Sequence, residues 1–283
     1  MNSLQLLGAL ELGLIYALVA LGVYITFRIV DFADLTVDGS FPLGAAVAAT
    51  LLVKGYHPVL ATLCATAAGS LAGSLTAYLH TQWNILALLS GILVMISMYS
   101  INLRIMDRPN ITLLNETTLF NNTSVVWFLA LIVSLVLIGL TRFFSSEFGL
   151  AMRGAGENAQ ASAAFGISVA KMKLVALALS NALVALAGSL FAQSQSFADI
   201  SMGNGTVIGG LAAVIVGETL LRPKHIAGRL LVCIVGSIVY RLAVVFALNI
   251  PDIGLRASDL NLITASLVAV TLLLAKRRKK GLS

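Results

Sequence analysis

The polar side chains worth examining for chemistry are the few that interrupt long apolar stretches, because only 11% of the 283 residues are charged. Asp34 and Asp38 lie four apart, a spacing that would set both carboxylates on one helix face. Two carboxylates can cap a helix, line a gate or hold a cation. Magnesium and calcium want more oxygens than this pair supplies, so capping or gate lining is expected; if Asp34 stays outside the helix as its cap, only Asp38 enters it. Arg241 follows Arg229 by 12 residues. At ~1.5 Å per residue that puts it about 18 Å into a bilayer, too deep to reach back to the near surface. It must line a path, meet a partner or reach the far side. With Phe41 and with Asn204 of Met202-Gly-Asn-Gly-Thr206, these residues form the candidate path set: Asp34, Asp38, Phe41, Asn204 and Arg241.

Other chemistries lack their residues. Gly154-Ala-Gly-Glu-Asn-Ala159 fits a dinucleotide-binding pattern, but no strand precedes it. No G-x-x-x-x-G-K-[ST] occurs, so energy drawn from ATP has to be supplied by a partner that binds ATP and Mg. His57, His80 and His225 are scattered at loop edges and offer no metal-ligand spacing. Cys64 and Cys233 each lie within an apolar run and are expected to be buried, inert thiols. No nucleophile–base arrangement is present, so the chain is expected to be neither an enzyme nor a cofactor protein. The N-x-[ST] triplets at Asn110, Asn115, Asn121 and Asn122 are taken as polar loop composition.

The elements that carry these residues are membrane spans. Hydrophobic residues make up 59% of the chain and its mean hydropathy is +0.97, far from a soluble domain. Stretches of about 20 apolar residues fall at 4–27, 35–53, 58–80, 84–104, 125–144, 172–193, 204–221, 229–248 and 259–275. The net charge of +6 is spread between and after these runs, which marks loops rather than a nucleic-acid surface. One side collects Arg28, Arg142, Arg153, Lys171, Lys173, Arg222, Lys224, Arg229 and Lys276-Arg-Arg-Lys-Lys280; the other has Lys54, Arg104, Arg108 and Arg256. That bias puts the carboxyl terminus and segment 142–173 in the cytoplasm and the amino terminus outside. The first cation is Arg28, so no basic region of a cleaved signal precedes the first span. The tail at 276–283 is a topology anchor attracted to anionic lipid. Glu218 is expected to pair locally with Arg222 or Lys224. Asp199 and Asp252 fall on outer loops, and Glu11 in the first span has no assigned role.

Two spans are interrupted. Asp34-Leu-Thr-Val-Asp-Gly-Ser-Phe-Pro-Leu-Gly44 opens the second with carboxylates, glycines and a proline, and Met202-Gly-Asn-Gly-Thr206 precedes the seventh. Non-helical backbone at membrane depth must be satisfied by protein or by a wet cavity, and paired broken helices point to a transport path. Glycines that merely permit close helix packing are the alternative.

The polar segment carries a likeness to known proteins. Arg153-Gly-Ala-Gly-Glu-Asn158, Ala163-Ala, Phe165-Gly-Ile167 and Lys171-x-Lys173 resemble the cytoplasmic loop of ABC importer permeases of the bacterial branched-chain amino acid and ribose type. Ala178-Leu-Ser-Asn-Ala-Leu-Val-Ala-Leu-Ala-Gly-Ser-Leu-Phe-Ala192 continues it, as do Gly13-Leu-Ile-Tyr-Ala-Leu-Val-Ala-Leu-Gly22 and Gly210-Leu-Ala-Ala-Val-Ile-Val-Gly217. Asp34-Leu-Thr-Val-Asp-Gly-Ser-Phe41, Asn102-Leu-Arg-Ile-Met106 and Arg108-Pro-Asn-Ile111 resemble a subgroup linked to amino acids, aromatic ones included. The resemblance implies a homodimer of permeases in the inner membrane, two cytoplasmic ATPases and an extracytoplasmic binding protein. It implies an ATPase-coupling helix at about 157–165, involving Arg153, Gly154, Gly156, Glu157, Asn158, Phe165 and Gly166. Glu157 would sit near its positive end, and Gly166 would close it in a left-handed conformation.

The sequence thus predicts an all-α polytopic membrane domain over 1–283 with about 8–10 transmembrane helices, broken spans and one cytoplasmic coupling helix. The function expected is amino acid import. Import of a nucleoside or sugar by the same kind of machine, transport driven by an ion gradient, and a membrane-embedded enzyme are the alternatives. The enzyme would need more clustered groups than Asp34 and Asp38.

Overall fold

The apolar runs become helices within a few residues of where hydropathy puts them. In the computed structural model, residues 3–121, 124–221 and 223–248 are described, with positions 266 and 269. Apart from those two positions the expected span 259–275 lies outside the described residues, as do the basic tail, Arg222, Asp252, Arg256 and Asn122. The order is α1 (Ser3–Tyr24), a π-helical turn (Ile25–Ile29), α2 (Val37–Val53), α3 (Pro58–Trp83), α4 (Ala87–Met106) and α5 (Val125–Ser145). Then come α6 (Glu147–Glu157), α7 (Ala159–Ala164), α8 (Val169–Gln195), α9 (Thr206–Leu220) and α10 (Ile226–Leu248). Six of these helices are long and apolar enough to cross a bilayer, whereas α2 and α9, with 17 and 15 residues, are shorter. The chain is therefore an all-α polytopic membrane protein. Local chemistry sets the ends: His57 Nδ1 accepts the Val59 N–H at 3.3 Å with Pro58 at the first helical position, and Asn84 ends α3 at φ +51°.

Helix α8 runs through the middle, with α2 and α3 pressed against it. A Cβ at Gly44 would lie 2.0 Å from the Ala185 carbonyl oxygen, and one at Gly73 would lie 2.1 Å from that of Leu177. Only glycine allows backbones this close, which is how helices pack where no water drives them together. Leu63, Leu71, Ile96, Trp127 and Leu135 turn outward from α3, α4 and α5, an apolar surface suited to lipid. Cys64 lies on this outward face of α3, contrary to the expected burial; Cys233 on α10 is buried.

The loop between α4 and α5 is more ordered than its polar composition indicates. Its Asn110–Thr112 (β1) pairs antiparallel with Phe197–Asp199 (β2), setting Ile111 opposite Ala198. The β1–β2 ribbon closes one end of the molecule. At the opposite end lie the π-turn, α6, α7 and the contact of Lys173 Nζ with His80 Nε2 at 3.0 Å. Among the described residues Glu218 pairs with Arg28, 190 positions away at the foot of α1, a partner the local expectation did not include; Arg222 lies outside them.

Candidate functional site

The first break follows α1. The helix loosens into a π-turn, Val30 N–H donates to the Ile25 oxygen at 3.2 Å, and Asp31 takes φ +49°. Such turns absorb an extra residue and bend a helix, and they recur at functional sites. Residues 30–36 then run without helix until α2. Asp34 is thus not helical and shares no helix face with Asp38. Fully buried, its Oδ1 accepts the Thr36 N–H at 2.9 Å and its Oδ2 accepts the Asn181 side-chain amide at 2.7 Å. Ser40 donates to Asn181 Oδ1 at 2.7 Å, and Thr36 meets Thr76 at 2.6 Å. This polar network ties the start of α2 to α3 and α8. Exposed backbone at membrane depth would otherwise be costly.

The second break precedes α9, and Asp38 reaches it. Asp38 Oδ1 accepts the Val207 N–H at 2.7 Å and Oδ2 accepts the Gly205 N–H at 3.3 Å. Gly205, at φ +80°, offers no capping side chain of its own. The carboxylate on α2 therefore caps the positive end of α9 in trans, where a negative charge is favoured. The approach is close: a Cβ on Gly203 would lie 2.0 Å from the Asp38 carbonyl oxygen. Asn204 is exposed on the intervening turn. One helical turn beyond Asp38, the Phe41 ring stands 5.7 Å from those of Tyr16 and Phe191, and Arg241 Cζ lies 3.7 Å over Tyr16. Of the candidate path residues, Asp38, Phe41 and Arg241 thus share one connected region. Asp34 stands apart in the buried network.

At the other end, segment 142–173 folds into two helices where one was expected. Ser146 caps α6 by accepting the Gly149 N–H at 3.3 Å. Met152 and Ala155 then enter the core, and Gly156 meets the foot of α1, where a Cβ would fall 1.8 Å from the Ile29 oxygen. Glu157 ends α6 instead of beginning the next helix. Asn158 supplies the boundary, its Oδ1 accepting the Ala161 N–H at 2.9 Å as the cap of α7. At the far end Gly166 takes φ +81°, Gly166 N–H donates to the Ala163 oxygen at 3.0 Å, and Ile167 N–H donates to that of Ser162 at 3.0 Å. That pair of bonds is a Schellman closure. Beside it Phe165 is 85% exposed, and Glu157, Asn158, Ala161 and Ala164 are also exposed. Of the other candidates here, Arg153 and Gly154 are half-buried on α6. Asn158 as a cap was detectable in the sequence, since an Asn preceding an Ala-rich run is a start signal. Tyr16 was not, because a lone tyrosine in an apolar span resembles core.

On the β1–β2 ribbon Asp199 accepts from the Ser201 hydroxyl and from its N–H (2.8 Å), with the Asn110 amide at 3.4 Å. The Ser201 hydroxyl bond holds its carboxyl below the usual carboxylate range.

Residues 5–275 match the family described as branched-chain amino acid transport system, permease component. The chain is 42% identical over 256 residues to a tyrosine transport system permease protein of Clostridioides difficile, covering 90% of this chain and 86% of that one. It is 29% identical over 247 residues to a probable branched-chain amino acid transport permease, LivH, of Methanocaldococcus jannaschii, covering 79% and 75% of the two chains. With the ribose import permease RbsC of Bacillus subtilis it shares 25% identity over 246 residues, covering 84% and 75%. No solved structure matches the chain.

Proposed function

The chain belongs to the family of branched-chain amino acid transport permease components, and from that premise we propose that it is the membrane subunit of an ATP-driven importer of amino acids. Membership makes it a transport subunit, not a catalyst. The observation that carries the reading is the α6–α7 unit. A short helix capped at both ends, with Phe165 projecting, is mounted through Gly156 on the break at the foot of α1. A docking helix needs an exposed anchor and a stiff mount, and this one has both.

In this reading a cytoplasmic ATPase binds Glu157–Gly166. Its ATP-bound and ATP-free forms favour different permease conformations, without which nothing is driven. Motion of α7 passes through α6 to the π-turn, then through the Asp34 network to α2 and its junction with α9. The orientation is supported by charge: the α6–α7 end has Arg28, Arg142, Arg153, Lys171, Lys173, Lys224 and Arg229, and the opposite end has Lys54, Arg104 and Arg108. The former faces the cytoplasm. A second copy of the chain, two ATPase subunits and an extracytoplasmic binding protein complete the machine, with ATP and Mg held by the ATPases. Amino acid is the substrate class, supported by the tyrosine and branched-chain relatives; the more distant ribose permease keeps sugar as an outcome of the test.

Phe165→Ala and Glu157→Lys alter exposed residues and leave the fold intact. Each should weaken copurification of an ATPase and lower uptake by about tenfold or more, as loss of an interface anchor does. Uptake and assembly equal to wild type, or uptake that survives ATP depletion and stops with an ionophore, overturns the reading.

A further inference from the structure

Arg241 is the one strongly basic residue placed mid-span in the described helices, and its surroundings do not complete its chemistry. Its Cζ lies 3.7 Å above the Tyr16 ring, and its Nε is buried without a hydrogen-bond partner. Among the described residues no carboxylate pairs with it, the salt bridge there being Arg28 with Glu218. A guanidinium has five N–H donors in its plane, and contact with a ring face uses none of them. The ring contact steadies the cation while leaving its fork for an acceptor, and an incompletely paired cation at membrane depth marks a functional place.

The ring beneath it starts a series. Tyr16 lies 5.7 Å from Phe41, Phe41 lies 5.7 Å from Phe191, and Phe191 lies 6.1 Å from Phe197 on β2. Four rings therefore lead from Arg241 to the strand ribbon across α1, α2 and α8. Tyr16, Phe191, Phe197 and Arg241 are all only half-buried. This arrangement matches the two halves of an amino acid: a planar anion for the fork, and an apolar or aromatic side chain for the rings.

Resting on the importer reading above, we propose that Arg241, held by Tyr16, receives the α-carboxylate of the amino acid as it crosses. The side chain of the substrate lies along Tyr16 and Phe191, with the buried Phe41 ring packed behind both. The carboxylate meets one fork rather than an enclosed cage, so binding is brief enough for release on the other side.

The test uses the complete transporter in proteoliposomes, with radiolabelled L-tyrosine and L-leucine as probes and ATP hydrolysis measured in the same vesicles. Arg241→Gln should lower amino acid moved per ATP hydrolysed by about 10- to 100-fold, the range for losing a hydrogen-bonded charge, with hydrolysis within about twofold of wild type. Arg241→Lys retains charge without the fork and should fall between. Tyr16→Leu removes the ring under the cation and should likewise lower amino acid moved per ATP. An assembled Arg241→Gln or Arg241→Lys transporter with wild-type transport per ATP overturns the proposal. So does parallel loss of uptake and hydrolysis in both variants, which marks Arg241 as a structural strut. If wild type moves neither probe, the failure lies with the importer reading itself.

Discussion

Replacing Asp38 with alanine removes one side chain from α2, yet its main effect is expected on α9. Both oxygens of Asp38 are engaged, Oδ1 with the Val207 N–H at 2.7 Å and Oδ2 with the Gly205 N–H at 3.3 Å. These are N–H groups at the start of a helix with no other cap, so Asp38→Ala leaves them unsatisfied at membrane depth. Losing a cap costs about 0.5–2 kcal/mol, and losing a hydrogen bond to a charged group costs about 1.5–3 kcal/mol. The 2.7 Å bond supplies most of this and the 3.3 Å bond little, for a total of about 2–4 kcal/mol. If that loss appears as local opening of the first turn of α9, its amides should exchange about 30- to 1,000-fold faster. Gly209, whose N–H donates to the Gly205 oxygen at 3.0 Å, is the reporter, and an amide within α3 is the control. Asp38→Asn retains one acceptor oxygen but turns an NH2 toward the other N–H, so it should lie between wild type and alanine. Unchanged exchange at Gly209 in Asp38→Ala, or Asp38→Asn matching wild type, refutes the trans-capping argument.

Two neighbouring glycines should respond with opposite signs. Gly156→Ala forces a Cβ to 1.8 Å from the Ile29 oxygen and should destabilise the purified chain by about 1–3 kcal/mol, whereas Gly154→Ala, whose nearest neighbour is Ser162 Oγ at 3.5 Å, should be neutral or stabilising in a thermal melt. On the β1–β2 ribbon the pH response follows from the lowered pKa of Asp199. A depressed carboxylate contributes stability above its ordinary value of 3.8 and loses it as the pH falls through the folded value. Protection of the Ser201 amide, taken relative to intrinsic exchange at each pH, should therefore be flat from about pH 8 to 5 and fall only below the ordinary carboxylate range, and Asp199→Asn should abolish that fall.

Spans were legible because hydropathy over 20 residues is a long, redundant signal. The short α2 and α9 were legible too, since polar and glycine residues announce their starts, Asp34, Asp38 and Gly39 at α2 and Gly203 and Gly205 before α9, whereas Pro42 is accommodated within a continuous α2. Gly166 was legible from its position after a small-residue helix, and it takes the left-handed conformation. What stayed hidden was pairing at a distance. Nothing local in Asn110-Ile-Thr112 points to Phe197–Asp199, because three residues carry no periodicity. Glu218 has basic residues nearby in sequence, and only the fold shows that Arg28, 190 positions away, reaches it. The outward turn of Cys64 depends on which side of α3 meets α8, decided by Gly69 and Gly73 on the opposite face. The α6–α7 boundary was missed although Asn158 before an Ala-rich run signals it, because the resemblance set the start of the coupling helix at Glu157.

The same glycines also divide the molecule mechanically. In α2, α3 and α8 the backbones are joined at Gly44, Gly69, Gly73 and Gly188, where a Cβ would lie within 2.4 Å of a carbonyl oxygen on a facing helix. A second such unit joins α9 to α10, with Gly217 against the Val232 oxygen at 2.2 Å and Gly236 against that of Ala213 at 2.1 Å. Interfaces of this kind shift between discrete arrangements rather than deform smoothly, because a small slide drives backbone into backbone. Between the two units the close approach of Gly203 to the Asp38 carbonyl is joined by contacts of a different kind: Asp38 holding the start of α9 by two hydrogen bonds, with Arg241 of α10 resting on Tyr16 of α1. Hydrogen bonds and ring contacts can be exchanged for equivalents with water or substrate at far less cost than repacking a core. Motion driven from α7 therefore has a natural place to appear. On the proposed reading the glycine-packed units would move as bodies, and the junction at Asp38 would open between them beside the residues proposed to receive the substrate.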